Sequence, residues 1–398
     1  MEESVGIAGR SQDSPAHLLS LIRSSEATTR GELVKATGLA RSTIAQRVDT
    51  LISSGFVVEV GGAASTGGRP PTLLGFNGDA GVVLAADMGA THSRIAVSNL
   101  AAEPLADTSA EIDIDLGPEA VLSWLEETFE DLLTKASRSP ADVRGIGIGL
   151  PGPVDFDRGM AINPPIMMGW HEYPVADRLR GRYGVPVLVD NDVNIMAIGE
   201  HFASHPEVDD LIFVKVGTGI GSGLILGGRI HRGAHGAAGD IGHVQAASED
   251  VVCRCGNTGC LEAAAGGAAL AAALSEGRER VAGSRGVVDL VQRSDKRALR
   301  AVRSAGRMIG QVLASTVNLL NPSVIVVGGD MAAAEQQLLA GIREVVYRRS
   351  TTLSTTDLTI TTTNLGDGAG ITGAAAMVVD YLLEPRNLEI AMAQARAG

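Results

Sequence analysis

The strongest constraint on the fold is a pattern that occurs twice: an apolar strand, a glycine-containing turn and a second apolar strand. The two copies are GVVLAADMGATHSRIAVSNL, which begins at residue 81, and LIFVKVGTGIGSGLIL, which begins at residue 211. Helical and strand patterns alternate after each copy, so the sequence predicts a duplicated α/β fold with a cleft between two lobes. We expect a smaller lobe at 82–191 and 371–398 and a larger lobe at 192–370. Ligands of such sheets bind at the carboxyl ends of the strands.

The composition is that of a globular protein, and we expect a cytoplasmic one. Of the 398 residues, 45% are hydrophobic and 20% are charged. No apolar run approaches the ~20 residues of a membrane span. The N-terminus, MEESVGIAGRSQDSP, lacks the basic-then-apolar order of a signal peptide, and residues 1–13 are expected to form a flexible tail. Aromatic residues make up only 3%, which argues against a stacking platform for single-stranded nucleic acid.

Residues 14–76 carry the pattern of a winged helix-turn-helix. Apolar periodicity predicts helices at about 17–24, 29–37 and 41–53, and two short strands, FVVEVG and TLLGFN, follow them. Six basic and four acidic residues between 14 and 75 make this segment slightly positive, whereas the whole chain has a net charge of −13. Such an asymmetry is typical of a DNA-facing module on an acidic body.

The third helix of this module is the predicted reader of the DNA major groove. The candidate DNA-binding residues are Arg41, Ser42, Thr43, Gln46 and Arg47 in that helix and Arg69 between the strands. An arginine flanked by glycine and proline suits a narrow minor groove, although it could instead belong to an interdomain linker. The module could also serve dimerisation or protein docking. A single winged helix that reads a palindrome requires at least two copies, so we expect a homo-oligomer, either dimer or tetramer.

All the cysteines of the chain lie in one short segment. They are Cys253, Cys255 and Cys260, and His243 precedes them. Three thiolates and one imidazole form a closed tetrahedral set, which is typical of a structural Zn²⁺ that orders a loop and does not activate water. The alternative is a group of unligated thiols with an unrelated histidine.

The two glycine turns are candidates for nucleotide binding. Backbone N–H groups and a threonine hydroxyl can approach phosphate oxygens there, and an aspartate can hold Mg²⁺ through water. The candidate residues are Asp87, Gly89, Thr91, Thr218 and Gly219. Two ordinary glycine-rich hairpins are the alternative, because a glycine pattern alone is a weak signal.

Asp192 ends a predicted strand in an Asn-Asp pair. A carboxylate in this place suits a general base that takes a proton from a sugar hydroxyl during phosphoryl transfer. It equally suits a hydrogen-bond acceptor for that hydroxyl or a plain helix cap.

Together these motifs resemble the transcriptional-regulator branch of the ROK family (repressors, open reading frames and kinases). The resemblance extends over nearly the whole chain after the first dozen residues. It rests on GLARSTIAQRVDTLISSGFV with GGRPP, Asp87-x-Gly-x-Thr91, GIGIGLPGPVD, DNDVN, GTGIGSG, GDIGH and CRCGNTGCLE. It implies an actin-like two-lobed sugar-kinase fold, operator binding as a symmetric oligomer and a response to a sugar or sugar phosphate.

The resemblance also implies a set of sugar-binding residues. They are Asn191, Asp192, Asp240, His243 and Glu262, with Asn163 as a further candidate for the pocket. His243 would touch the sugar with one ring nitrogen and zinc with the other, which would link sugar occupancy to the zinc loop.

Two departures from the family pattern concern specificity. Family kinases have Gly-Gly-Thr-Lys after the first aspartate, whereas this chain has Ala90 and His92 at the second and fourth positions, which puts ATP and Mg²⁺ binding in question. Asp240 replaces the glutamate of GEIGH, and its shorter side chain requires a repositioned sugar. The leading hypothesis is a sugar-responsive regulator, most simply a repressor of carbohydrate-utilisation genes. The rivals are an ATP-dependent hexose kinase with Asp192 as base and a zinc-stabilised scaffold without ligand.

Overall fold

The N-terminal segment folds into three helices and a two-stranded antiparallel sheet. The computed structural model describes residues 14–62, 72–90, 92–248, 251–277 and 279–397. The N-terminal elements are α1 (Pro15–Arg23), α2 (Arg30–Thr37), α3 (Arg41–Ser53), β1 (Val57–Gly62) and β2 (Thr72–Phe76). Thr29 and Glu32 form a capping box at the start of α2. This order of helices and strands confirms the winged helix-turn-helix.

The smaller sheet domain begins at Val82. Its elements are β3 (Val82–Met88), β4 (His92–Asn99), β5 (Pro104–Glu111), α4 (Pro118–Lys135), β6 (Val143–Leu150), β7 (Val154–Asp155), β8 (Met160–Ala161), α5 (Val175–Tyr183) and β9 (Val187–Asn191). Five of the strands form one sheet in the order β5-β4-β3-β6-β9, whereas β7 and β8 pair separately. Helices α4 and α5 share an apolar core with one face of this sheet.

The larger domain follows directly. Its elements are α6 (Asp192–Ser204), β10 (Leu211–Val216), β11 (Ile220–Leu226), β12 (Arg229–Ile230), α7 (Leu261–Ala265), α8 (Gly267–Ser275), α9 (Gly283–Gln292), α10 (Lys296–Leu320), β13 (Val324–Gly328), α11 (Glu335–Arg349), α12 (Thr352–Thr355) and β14 (Thr359–Thr362). The strands form a sheet in the order β12-β11-β10-β13-β14. Two further helices, α13 (Ala369–Leu383) and α14 (Pro385–Ala397), end the chain.

Both five-stranded sheets repeat one arrangement. In each, an antiparallel hairpin (β3–β4 or β10–β11) continues through its first strand into parallel neighbours. The duplicated α/β fold expected from the repeated pattern is therefore confirmed. Among the helices of the described residues, including the 25-residue α10, none is long and apolar enough to cross a membrane.

Helices α6 and α13 pack against each other between the two sheets. On one side, Ile195 of α6 joins an apolar cluster with β3, β4 and α13, and on the other, Val193 joins a cluster with β10 and β11. The helices approach so closely that a Cβ at Gly199 would overlap the carbonyl oxygen of Ala369, and one at Gly373 would overlap that of Ile195. Glycine is required at both positions because any side chain would separate the helices.

The last helix packs with the N-terminal module, although the sequence-based division grouped it with the smaller lobe. Leu388 and Met392 of α14 are buried in the same apolar cluster as α1, α2 and α3. The physical reason is that α14 presents these two side chains, four residues apart, on one face, and the open side of the three-helix unit supplies their apolar partners. Residues 14–76 therefore share their core with a segment more than 300 residues away.

Leu388→Ala should destabilise the N-terminal module, since it removes a fully buried side chain from a small core. We expect the free energy of unfolding of this module to fall by about 2–4 kcal/mol. Chemical denaturation monitored together with limited proteolysis of residues 14–76 measures the loss. Glu389→Ala is the matched control on the exposed face of α14. Equal proteolysis of the two variants would contradict this packing.

Candidate functional site

The three cysteines and His243 converge as the sequence predicts. The ligand atoms of His243, Cys253, Cys255 and Cys260 all lie within 4.8 Å of one another. Cys253 and Cys260 are buried and Cys255 is exposed, so the group lies at the edge of the larger domain. The donors fit a structural zinc ion, because three thiolates and an imidazole complete a tetrahedron and leave no open position.

The ring of His243 faces two groups at once. Its Nδ1 lies 3.6 Å from Sγ of Cys253, whereas its Nε2 lies 4.0 Å from Oδ1 of Asp240. One nitrogen can thus coordinate the metal while the other remains directed toward the Asp240 carboxylate. Asp240 is exposed and can bind a ligand hydroxyl.

Glu262 joins the zinc loop to the second glycine turn. It lies at the beginning of α7, two residues after Cys260, and its Oε2 accepts a hydrogen bond of 3.1 Å from the backbone N–H of Ile220. A Cβ at Gly219 would overlap the same carboxylate oxygen, so this glycine is needed for the contact. Glu262 thus connects the loop directly to the turn between β10 and β11.

Asn191 and Asp192 lie where β9 passes into α6. Asn191 caps the helix: its Oδ1 accepts from the backbone N–H of Val193 at 2.9 Å, and its Nδ2 donates to the carbonyl of Gly152, also at 2.9 Å. Asp192 is 7% exposed, and its Oδ2 accepts from Nζ of Lys215 at 2.5 Å. The cap function explains the Asn-Asp pair locally, and the buried carboxylate requires its charged partner.

Lys215 is the functional residue that sequence reasoning missed. It is the single charged residue in β10, whose other side chains are apolar and buried. A lysine in an otherwise apolar strand needs a charged partner, so the pattern LIFVKV could have indicated a buried ion pair. Burial by itself lowers the pKa of Lys215. The attraction of Asp192 and Asp87 outweighs this effect and raises the pKa above its usual value, so the ammonium stays charged.

The first glycine turn carries Asp87 at the end of β3. Burial raises the pKa of this carboxyl to about 6 from its usual 3.8, and the charge of Lys215 counteracts part of that rise. Gly370 near the N-terminus of α13 touches the Asp87 carboxylate so closely that a Cβ there would overlap it. Gly89 donates its N–H to the carbonyl of His92 at 2.9 Å and closes the turn. Thr91 lies outside the described residues.

The remaining candidates for the pocket, Thr218 and Asn163, lie in different surroundings. Thr218 is exposed in the second glycine turn. Asn163 has a positive φ of 44° and donates its backbone N–H to Nδ1 of His171 at 3.2 Å. Pro164, which follows it, packs on Gly152, whose carbonyl Asn191 binds. This brings the 163–164 segment beside the Asn191 cap.

The predicted DNA-reading residues share one surface of α3. Arg41, Ser42 and Gln46 are exposed, and Thr43 and Arg47 are half-buried. The Nη1 atom of Arg47 is buried without a hydrogen-bond partner. Arg69 lies outside the described residues.

This chain is similar in sequence and structure to several known proteins. The model of the ROK family matches residues 83–381. The xylose repressor of Caldicellulosiruptor bescii is 31% identical over 381 residues, which is 92% of this chain and 95% of that protein. The crystal structure of a ROK family transcriptional regulator, a homologue of the E. coli MLC protein, has a TM-score of 0.80 at 25% identity and covers 96% of this chain and 99% of that chain. A ROK family glucokinase from Streptomyces griseus, in complex with glucose and AMPPNP, has a TM-score of 0.63 at 27% identity and covers 75% of this chain and 99% of that chain.

Cys260→Ser should remove the metal, because the remaining three donors no longer close the tetrahedron. We expect about one zinc per chain in the unaltered protein, an order-of-magnitude lower content in the variant and a lower melting temperature. Elemental analysis and thermal unfolding with and without chelator measure these changes. Thr258→Ser, in the exposed part of the same loop, should retain the metal. Full zinc content in Cys260→Ser would refute the assigned ligand set.

Asp87→Asn should stabilise the protein at neutral pH. Because burial raises the pKa of Asp87 to about 6, the folded chain retains a proton that the unfolded chain loses above its usual pKa of 3.8. The contribution of this group to the free energy of unfolding therefore falls as the pH rises from the unfolded pKa of 3.8 to the folded pKa of about 6. The variant avoids that loss, so its advantage should grow between about pH 4 and pH 6 and level off above pH 6 at about 1–3 kcal/mol. Urea denaturation across this range measures it, and Asp131→Asn, exposed on α4, should show no such trend.

Proposed function

The chain belongs to the ROK family, and we propose that it is a sugar-responsive transcriptional repressor. Residues 14–76 bind operator DNA, and the domain that follows binds the sugar effector. The chain acts as a homo-oligomer in the cytoplasm, where the DNA lies.

The N-terminal module carries this proposal. The ROK regulator structure aligns with 96% of the chain, module included, whereas the glucokinase aligns with 75%. A relative of nearly full-length coverage is named as a xylose repressor. A sugar kinase has no need of a winged helix, and so the extra module favours regulation over catalysis.

DNA recognition is assigned to the exposed surface of α3. Arg41 and Gln46 can reach base edges in the major groove, since both are exposed on the helix that a winged helix-turn-helix inserts there. Arg47 is half-buried, and its Nη1 atom is enclosed by the protein, so a phosphate contact is assigned to the other N–H groups of its guanidinium. Arg30 is not assigned to this surface, because its guanidinium already pairs with Asp49 and Glu59 of the same module.

The sugar is assigned to the cleft beside the zinc loop. Hydroxyl groups require acceptors, and we assign this role to the carboxylates of Asp192, Asp240 and Glu262, with Asn163 and Asn191 as further ligands. The zinc ion, held by His243 and the three cysteines, fixes the loop that presents Asp240 and Glu262. A sugar that repositions the His243 ring alters the loop and, through Glu262, the turn at Gly219.

Helices α13 and α14 connect this cleft with the DNA-binding module. The N-terminal end of α13 touches Asp87 in the cleft, and α14 continues from its other end into the core of the module. Arg23 of α1 also binds Asp380 of α13 at 2.9 Å. Since the same helix reaches both sites, a shift of α13 on sugar binding changes the position of the module.

Arg41→Ala should weaken operator binding by about 1–3 kcal/mol if Arg41 contacts a base. The operator comes from footprinting the purified protein on its own genomic DNA, and a fluorescence-anisotropy titration at fixed salt then measures the affinity. Arg300→Ala is the control, because it removes the same charge from an exposed position of α10. Equal affinities of the two variants would overturn the assignment of α3.

Asp240→Ala should bind the operator normally and fail to release it when sugar is added. The titration is repeated with a panel of free pentoses and hexoses that begins with D-xylose. One sugar should weaken binding of the unaltered protein at least about tenfold, within the usual range of coupling free energies. Asp289→Ala, exposed on α9, should respond as the unaltered protein does. Release of Asp240→Ala at the same sugar concentration would remove Asp240 from the site.

A further inference from the structure

The cleft contains a cation supplied by the protein itself. Nζ of Lys215 lies 2.5 Å from Oδ2 of Asp192, and only 26% of the lysine side chain is exposed. Asp87 and Asp330 also attract this ammonium, and they come from the ends of two other strands of the fold. One buried cation thus serves carboxylates from both sheets.

This pairing leaves Asp192 poorly suited to act as a base. Its Oδ1 accepts from the backbone N–H of Val193 at 2.9 Å, and its Oδ2 accepts from Lys215. A general base must offer an oxygen to the proton it removes, and here the Lys215 ammonium and the Val193 N–H already occupy one oxygen each. Asp192 can still accept a hydrogen bond from a sugar hydroxyl, because each carboxylate oxygen has two lone pairs.

The same pairing removes the electrostatic reason for a divalent metal. Asp87 and Asp192 form the kind of carboxylate pair that attracts Mg²⁺ together with phosphates, since hard cations bind through oxygen ligands. Because Lys215 pairs with Asp192 and is also attracted by Asp87, a metal ion would meet an ammonium at these carboxylates. A nucleotide with its bound metal ion therefore fits this cleft poorly.

A second protein cation, Arg285, joins the two domains nearby. Nη1 of Arg285 in α9 lies 2.9 Å from Nε2 of His92 at the beginning of β4, and its Nε lies 3.4 Å from Oδ1 of Asp330. Ser284 donates to the other oxygen of Asp330 at 2.6 Å. These contacts link the first glycine hairpin to the larger domain across the opening between them.

We propose that Lys215 replaces the divalent cation of a phosphoryl-transfer cleft and thereby makes this site a receptor for free sugar that takes no metal nucleotide. The inference rests on the proposed sugar pocket at Asp192. Lys215 is a specificity-determining residue: it neutralises Asp87 and Asp192 and leaves Asp192 as a hydrogen-bond acceptor only.

Lys215→Met tests the proposal, because methionine fills similar space without charge. The full-length, zinc-loaded protein is titrated with Mn²⁺, which prefers oxygen ligands, and free Mn²⁺ is counted by electron paramagnetic resonance. The unaltered protein should bind no Mn²⁺ that depends on Asp192. Lys215→Met should gain one site at least tenfold tighter than any Mn²⁺ binding of the unaltered chain, and Lys215→Met combined with Asp192→Asn should lose it. Lys215→Arg, which keeps the charge, should behave as the unaltered protein.

Three results would overturn the inference: no gain of Mn²⁺ binding in Lys215→Met, a gain that survives Asp192→Asn, or tight Mn²⁺ binding by the unaltered protein that Asp192→Asn abolishes. Zinc content and circular dichroism show whether Lys215→Met folds. If it does not, the comparison of Mn²⁺ binding by the unaltered protein and by Asp192→Asn still tests the inference, because it needs no substitution of Lys215. Operator release by sugar is measured separately. Failure of the repressor function is thus distinguishable from failure of the cation replacement.

Discussion

The contact between α6 and α13 is the constraint on which the rest of the structure depends. Gly199 and Gly373 allow the two helix backbones to touch, and apolar side chains on their outer faces bind one sheet each. The first residue of α6 is Asp192, and the second residue of α13, Gly370, touches Asp87. The crossing of these helices therefore fixes the distance between the two carboxylates at the centre of the cleft, and it does so with packing that tolerates no added methyl group.

The zinc loop extends this rigid centre to the surface. Four donors of this loop converge on one point, and a bound metal would fix their geometry. The loop meets the cleft at two places, the His243 ring beside Asp240 and the Glu262 carboxylate on the Gly219 turn. A ligand that binds in the cleft would therefore act directly on a metal-ordered element.

The charges of the cleft distinguish a receptor from an enzyme built on the same fold. A kinase needs a free carboxylate, a metal and an opening between the lobes. In this chain Lys215 pairs with the carboxylate of Asp192, and the contact between Arg285 and His92 joins the two domains. Meanwhile α13 and α14 connect the cleft to the winged helix. The arrangement favours a change of position over a chemical step as the consequence of binding.

Local pattern was enough to determine several features of this protein. The zinc ligands lie within one loop, the winged helix-turn-helix follows from apolar periodicity and caps, and the repeated strand–turn–strand pattern predicts the duplicated fold. Only the tertiary structure decided which side chains from distant elements meet. Lys215 pairs with Asp192, Arg285 reaches His92, and Leu388 enters the N-terminal core. These contacts join residues from 23 to several hundred positions apart, and the periodicity of a helix or strand specifies which face is buried but not which partner covers it.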